Sequence, residues 1–126
     1  MVLDWNAGAL AEGLACYRNS QFFDAHEHWE SAWFNSVPPE KGFLQALIQL
    51  TVALHHVQAG NPAGARSLLQ RSLRRLEACP ASFGEIDVAL LRMQIGEWLS
   101  MLEGAVPASS PDYPRISLID LSQKSV

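Results

Sequence analysis

The stretch Pro39-Glu-Lys-Gly-Phe43-Leu-Gln45-Ala-Leu-Ile-Gln49-Leu-Thr-Val-Ala-Leu-His-His56-Val-Gln-Ala59 decides the fold class. Phe43, Leu44, Ala46, Leu47, Ile48, Leu50, Leu54 and Val57 make it apolar almost all round, and its hydrophobic residues recur every three or four positions. That period belongs to a helix and not to a strand. Proline suits a first helical turn, where its preset φ helps and its missing N–H is no loss. At the far end Gly60-Asn61-Pro62 supplies the left-handed capping residues and the stop that close a helix. The spacing therefore predicts one helix over residues 39–59.

The same punctuation divides the chain on either side. A helix over about 5–18 carries Leu10, Leu14 and Tyr17 on one face, with Asp4 placed to cap it. A second, over about 21–35, must stop before Pro38-Pro39, because the residue before a proline resists helical backbone. A fourth, over about 62–78, carries Leu68, Leu69, Leu73 and Leu76 and cannot continue through Pro80. A fifth, over about 84–103, ends at Gly104. Period-two alternation is absent, and the short connections make successive helices antiparallel. The expected fold is an all-α, single-domain bundle of five helices over residues 1–104. Residues 105–126, with Pro107, Pro111 and Pro114, follow as an extended strap packed on the bundle or on a partner subunit.

Composition narrows the function classes. With 126 residues, 48% apolar and only 17% charged, the chain holds one well-packed domain and is no disordered tail. A net charge of −4 argues against nucleic acid as a partner. Arg66, Arg71, Arg74 and Arg75 on the fourth helix read as a solvated face, since no aromatic residues interleave with them to stack bases. No signal peptide is expected from Met1-Val-Leu-Asp-Trp-Asn, and no membrane span from a chain lacking any run of about 18 apolar residues. Cys16 and Cys79 lack metal-type spacing and read as two buried or half-buried thiols in a reducing cytoplasm. The fifth helix has two apolar faces, more than a surface helix needs, which predicts a homodimer through that helix or the strap.

Chemistry concentrates in the second helix. Turning each residue by about 100° puts Phe22, His26, Trp29, Glu30 and Trp33 on one broad face and Asp24, Glu27, His28, Ser31 and Asn35 on the other. A histidine and a carboxylate four residues apart, inside an aromatic face, touch one another on the helix surface. Three roles fit: a structural pair in the core, two ligands to one metal ion, or a carboxylate orienting an acid–base histidine. Gln45, Gln49 and His56 form a polar stripe on the third helix. It completes the site if it faces the second helix and is a wet edge otherwise. His55 points away from that stripe, towards Ile48 and Thr51.

The pattern Phe23-Asp-Ala-His26-x-x-x-Glu30-x-x-Trp33 resembles the signature of the prokaryotic family called domain of unknown function 309. The similarity continues through Phe43-Leu-Gln45-Ala-Leu-Ile-Gln49-Leu, His56, and Gly60-Asn61-x-x-Gly64-Ala65 followed by Leu68-Leu69. It covers roughly residues 17–76. Asp24 stands where Glu is commoner, and His28 and Trp29 replace the usual aliphatics. The resemblance implies a small all-helical protein whose His26, Glu30 and Trp33 belong to a motif suspected of metal binding, with Gln45 and Gln49 as weaker neighbours. It implies no reaction and no substrate.

The expected function is a small cytoplasmic helical protein with a partly buried His26–Glu30 site that takes a divalent transition-metal ion. Trp33 would wall it from water, and Gln45, Gln49 and His56 would complete or support it. Two other classes stay open. One is a non-enzymatic interaction or structural module whose His–Glu pair only holds the core. The other is a metal-dependent hydrolase, which needs an open coordination position. No catalytic residue is assigned.

Overall fold

In a computed structural model, residues 3–104 and 112–119 are described. Five helices follow one another: α1 (Gly8–Arg18), α2 (Phe22–Phe34), α3 (Glu40–Gln58), α4 (Pro62–Glu77) and α5 (Val88–Leu102). Each packs on its sequence neighbour, as short connections require, and α3 is the central element, lying against both α2 and α4. The all-α bundle expected from periodicity is the fold. Among the described residues no helix is long and apolar enough to cross a membrane.

The apolar run of α3 fills the interior: Leu44, Leu47, Leu50 and Leu54 are fully buried, and Trp29 of α2 is buried with them. Two hydroxyls inside are satisfied. Thr51 Oγ1 donates to the Ile48 carbonyl at 2.7 Å, and Ser72 Oγ of α4 donates to the Ala46 carbonyl of α3 at 2.8 Å. The α3–α4 turn follows its sequence. Gly60 takes left-handed backbone at φ 76°, and the Asn61 side chain accepts from Gly64 N at 3.1 Å to cap α4.

Two boundaries differ from expectation. Helix α1 starts at Gly8 and not near residue 5, because Gly8 sits at φ 63° and left-handed backbone interrupts any helical run. Asp4 accepts from Asn6 N at 2.9 Å in a local turn, and the Trp5 indole donates to the Gly84 carbonyl at 2.8 Å. The second difference precedes α5. Residues 82–87 form a small antiparallel hairpin, β1 (Ser82–Phe83) and β2 (Ile86–Asp87), where the sequence reading has no strand and starts the helix at 84. Gly84 and Glu85 both have positive φ (53° and 67°), which suits a two-residue turn between twisted strands. Asp87 then caps α5, accepting from Leu90 N at 3.0 Å. Strands two residues long leave no alternation to read.

The described part of the strap, residues 112–119, lies along its own bundle. Tyr17 of α1 donates its hydroxyl to the Pro114 carbonyl, and the Trp98 indole of α5 donates to the Asp112 carbonyl at 2.8 Å. Tyr113 stacks on Trp98 and meets Phe22 edge-on, so this segment covers part of the second apolar face of α5. Beyond it the backbone pairs with the hairpin: Asp87 N donates to the Ser117 carbonyl and Ile119 N to the Glu85 carbonyl, at 2.9 and 2.8 Å. The rest of the expected strap, residues 105–111 and 120–126, lies outside the described residues. Cys16 and Cys79 are free thiols, half-buried as expected, and burial pushes both above their ordinary range.

The candidate site on the outer face of the second helix

Helix α2 splits its broad face into strips. Phe22, Ala25 and Trp29 are buried, and the Trp29 indole donates to the Leu10 carbonyl of α1 at 3.2 Å. Trp33, His26 and Glu30 come next round the helix, followed by Phe23, Phe34 and Glu27 on the solvent side. The single buried face expected from the sequence is therefore too wide. Trp29 belongs to the core, whereas His26 and Glu30 stand at the surface, with side chains 20% and 60% exposed. That exposure puts the pair at the edge of the core and not inside it. The packing of α1 and α3 covers α2 only as far as Trp29 and part of His26.

The expected contact between His26 and Glu30 forms. His26 Nε2 lies 3.3 Å from Glu30 Oε2, and its Nδ1 lies 2.8 Å from the Phe23 carbonyl. A carbonyl oxygen only accepts, so Nδ1 carries a proton and donates it. In the neutral ring Nε2 then has a lone pair and faces a carboxylate oxygen, which also only accepts. Two acceptors at that separation repel unless a positive centre lies between them: a proton on Nε2, or a metal ion bound to both. A backbone carbonyl holding Nδ1–H is also the usual way a protein fixes the tautomer of a metal-binding histidine.

Around the pair is a groove of about 350 Å³ lined by His26, Glu27, Glu30, Ser31, Trp33 and Phe34. Trp33 walls it as expected but does not seal it, being half-buried itself, with Phe34 75% exposed beside it. The supporting stripe on α3 is only partly drawn in. Gln45 lines a neighbouring groove together with Trp33. Gln49 Oε1 is buried and has no hydrogen-bond partner among the described residues. His56 turns to the α3–α4 junction, its Nδ1 3.3 Å from Asn61 Nδ2, and does not join His26 and Glu30. His55 packs on Phe23, whose ring also meets His26 (centroids 5.5 and 5.0 Å). His28 pairs with Glu12 of α1 at 3.1 Å. Among the described residues no group of three or more His, Cys, Asp or Glu side chains converges, at this face or elsewhere.

Lys41 is the residue sequence reasoning missed. Its ammonium lies 4.4 Å from the centroid of the Trp33 ring. Lys41 and Trp33 stand on different helices with a proline turn between them, and no spacing rule links them.

Comparison with known proteins adds kinship without an activity. Residues 10–68 match the family described as Domain of unknown function (DUF309). An uncharacterized protein of Aquifex aeolicus is 28% identical over 99 residues, which are 77% of this chain and 29% of that protein. The uncharacterized protein YpuF of Bacillus subtilis is 40% identical over 58 residues, 45% of this chain and 33% of that protein. The chain thus spans about a third of the length of the curated relatives it matches. Among solved structures, the conserved hypothetical protein TTHA0068 from Thermus thermophilus superposes with a TM-score of 0.61 at 31% identity, over 82% of this chain and 100% of that one.

Proposed function

The chain belongs to the DUF309 family, and from that premise and the geometry of α2 we propose that it is a binding module whose His26 Nε2 and Glu30 Oε2 take a divalent transition-metal ion at the surface. The observation that carries this is the bond from His26 Nδ1–H to the Phe23 carbonyl, which leaves Nε2 to face a carboxylate at 3.3 Å. An imidazole nitrogen and a carboxylate oxygen suit zinc, manganese or ferrous iron, and a two-residue set leaves coordination positions for water or for groups from outside the described residues. Trp33 and Phe34 supply an apolar wall beside the ion, which lowers the local dielectric and strengthens its binding.

Titration calorimetry of untagged, chelator-free protein with Zn²⁺, Mn²⁺ and Fe²⁺ tests this, beside His26→Ala and Glu30→Gln. The expected result is one ion per chain in the wild type and at least a tenfold loss of affinity in each variant. An ion bound equally well by both variants would place it elsewhere, for instance at His28 and Glu12, and overturn the proposal. Absence of binding to the wild type would overturn it too, and leave His26–Glu30 as an ordinary surface ion pair.

A further inference from the structure

Trp33 walls a second groove, of about 470 Å³, whose other lining includes Pro38, Pro39, Lys41, Gln45 and Arg75. It continues across Pro39, Gly42 and Arg75 into a hollow of about 250 Å³ that reaches Phe43. Each is of the order of a small-molecule site, which starts near 300 Å³. The lining has two characters. Trp33 and the two prolines present flat apolar surface. Lys41 and Arg75, from α3 and α4, present positive charge.

That charge is unusual in its setting. The chain carries thirteen acidic against nine basic residues, yet no ion pair joins Lys41 or Arg75 to a carboxylate among the described residues. Lys41 is held in place by the Trp33 ring beneath it. Two cations from different helices therefore flank one apolar groove, with no carboxylate of the described residues within ion-pair distance of either. A guanidinium recognises a carboxylate through paired N–H donors, an ammonium adds a point charge, and the Gln45 amide adds a neutral donor.

We propose that this groove binds a small organic anion, a carboxylate carried on a planar apolar ring. Lys41 and Arg75 take the carboxylate, and Trp33 with Pro38-Pro39 takes the ring. The ligand's charge follows from the two unpaired cations, and its flat body follows from the walls. The site shares only Trp33 with the His26–Glu30 groove and uses neither of those two residues. Metal binding and anion binding therefore succeed or fail separately.

The probe is 2-naphthoate, followed by amide NMR shifts of the whole chain, with neutral 2-naphthamide and inorganic phosphate as the other two arms. The expected result is saturable movement of the Lys41, Gln45 and Arg75 resonances with naphthoate. Naphthamide and phosphate should each bind at least tenfold more weakly. Lys41→Met and Arg75→Met should each weaken naphthoate at least fivefold while the spectrum stays that of the folded protein. His26→Ala should leave naphthoate affinity unchanged. Equal binding of naphthamide would overturn the role of the cations, and equal binding of phosphate the role of the apolar walls. Shifts confined to another face, or affinity indifferent to both methionine variants, would overturn the site.

Discussion

Gly13 shows at the residue scale how closely α1 and α2 approach. A methyl group built there would run into the indole ring of Trp29, which is wholly buried and tied to the Leu10 carbonyl. The ring cannot step aside without leaving Tyr17, on which it stacks at 5.9 Å. Gly13→Ala is therefore expected to destabilise the protein by about 1–3 kcal/mol by overpacking, although alanine is the better helix former. Urea denaturation checks it, and an unchanged or raised midpoint would contradict the packing described. The His26–Glu30 pair behaves differently. It is exposed enough that deleting either partner should cost only about 0–1 kcal/mol of stability. The same substitutions can thus report on metal binding in a folded protein. Gln49 stands apart from both: its buried side-chain oxygen has no partner among the described residues, and nothing in the structure accounts for it.

At the scale of elements, the joint between α1 and the strap rests on Tyr17. Its hydroxyl donates to the Pro114 carbonyl, and burial pushes the phenol far above its ordinary value of 10.0. An acid whose folded pKa is raised stays protonated when the unfolded chain has already lost its proton. Above about pH 10 the unfolded state therefore binds fewer protons, and stability falls as pH rises. Below that value the group has no effect on the slope. Denaturation from about pH 8 to about pH 11 should show this fall in the wild type and a flatter profile in Tyr17→Phe. At pH 8 that variant should already be weaker by about 1–3 kcal/mol, because the Pro114 carbonyl loses its donor. Parallel profiles for the two proteins would show that Tyr17 is not the group responsible. The α4 end is secured similarly across elements, by Arg92 of α5 donating to the Leu76 and Cys79 carbonyls at 3.1 and 2.9 Å. Here an arginine satisfies one of another helix's last carbonyls and one just beyond its end, which no local capping rule anticipates.

For the molecule as a whole, the described part of the strap, residues 112–119, is an integral part of the fold. Ile116 is 3% exposed, and the backbone around it pairs with the hairpin and with Arg18, whose guanidinium donates to the Ile116 carbonyl at 3.1 Å. Ile116→Ala should cost about 2–5 kcal/mol, as for other buried aliphatics, and lower the thermal midpoint of the whole bundle in one transition. A loss below about 0.5 kcal/mol would show that this segment contributes little to the folded core.

The sequence alone determined the five helices and their order, because proline, glycine and asparagine sit where backbone geometry forces a helix to stop, and because period 3.6 is a local property. It also determined that His26 and Glu30 touch, since residues four apart are neighbours on any helix. Tertiary structure decided what local rules cannot encode. How deep the pair lies depends on how far α1 and α3 cover α2, and the answer stops at Trp29. The contact of His55 with Phe23 and the pairing of the 82–87 hairpin with residues 117–119 depend on residues distant in the chain, and the place of Lys41 over Trp33 depends on how α3 packs on α2. Only packing brings those residues together, and so only packing made Trp33 the common wall of two grooves of opposite charge.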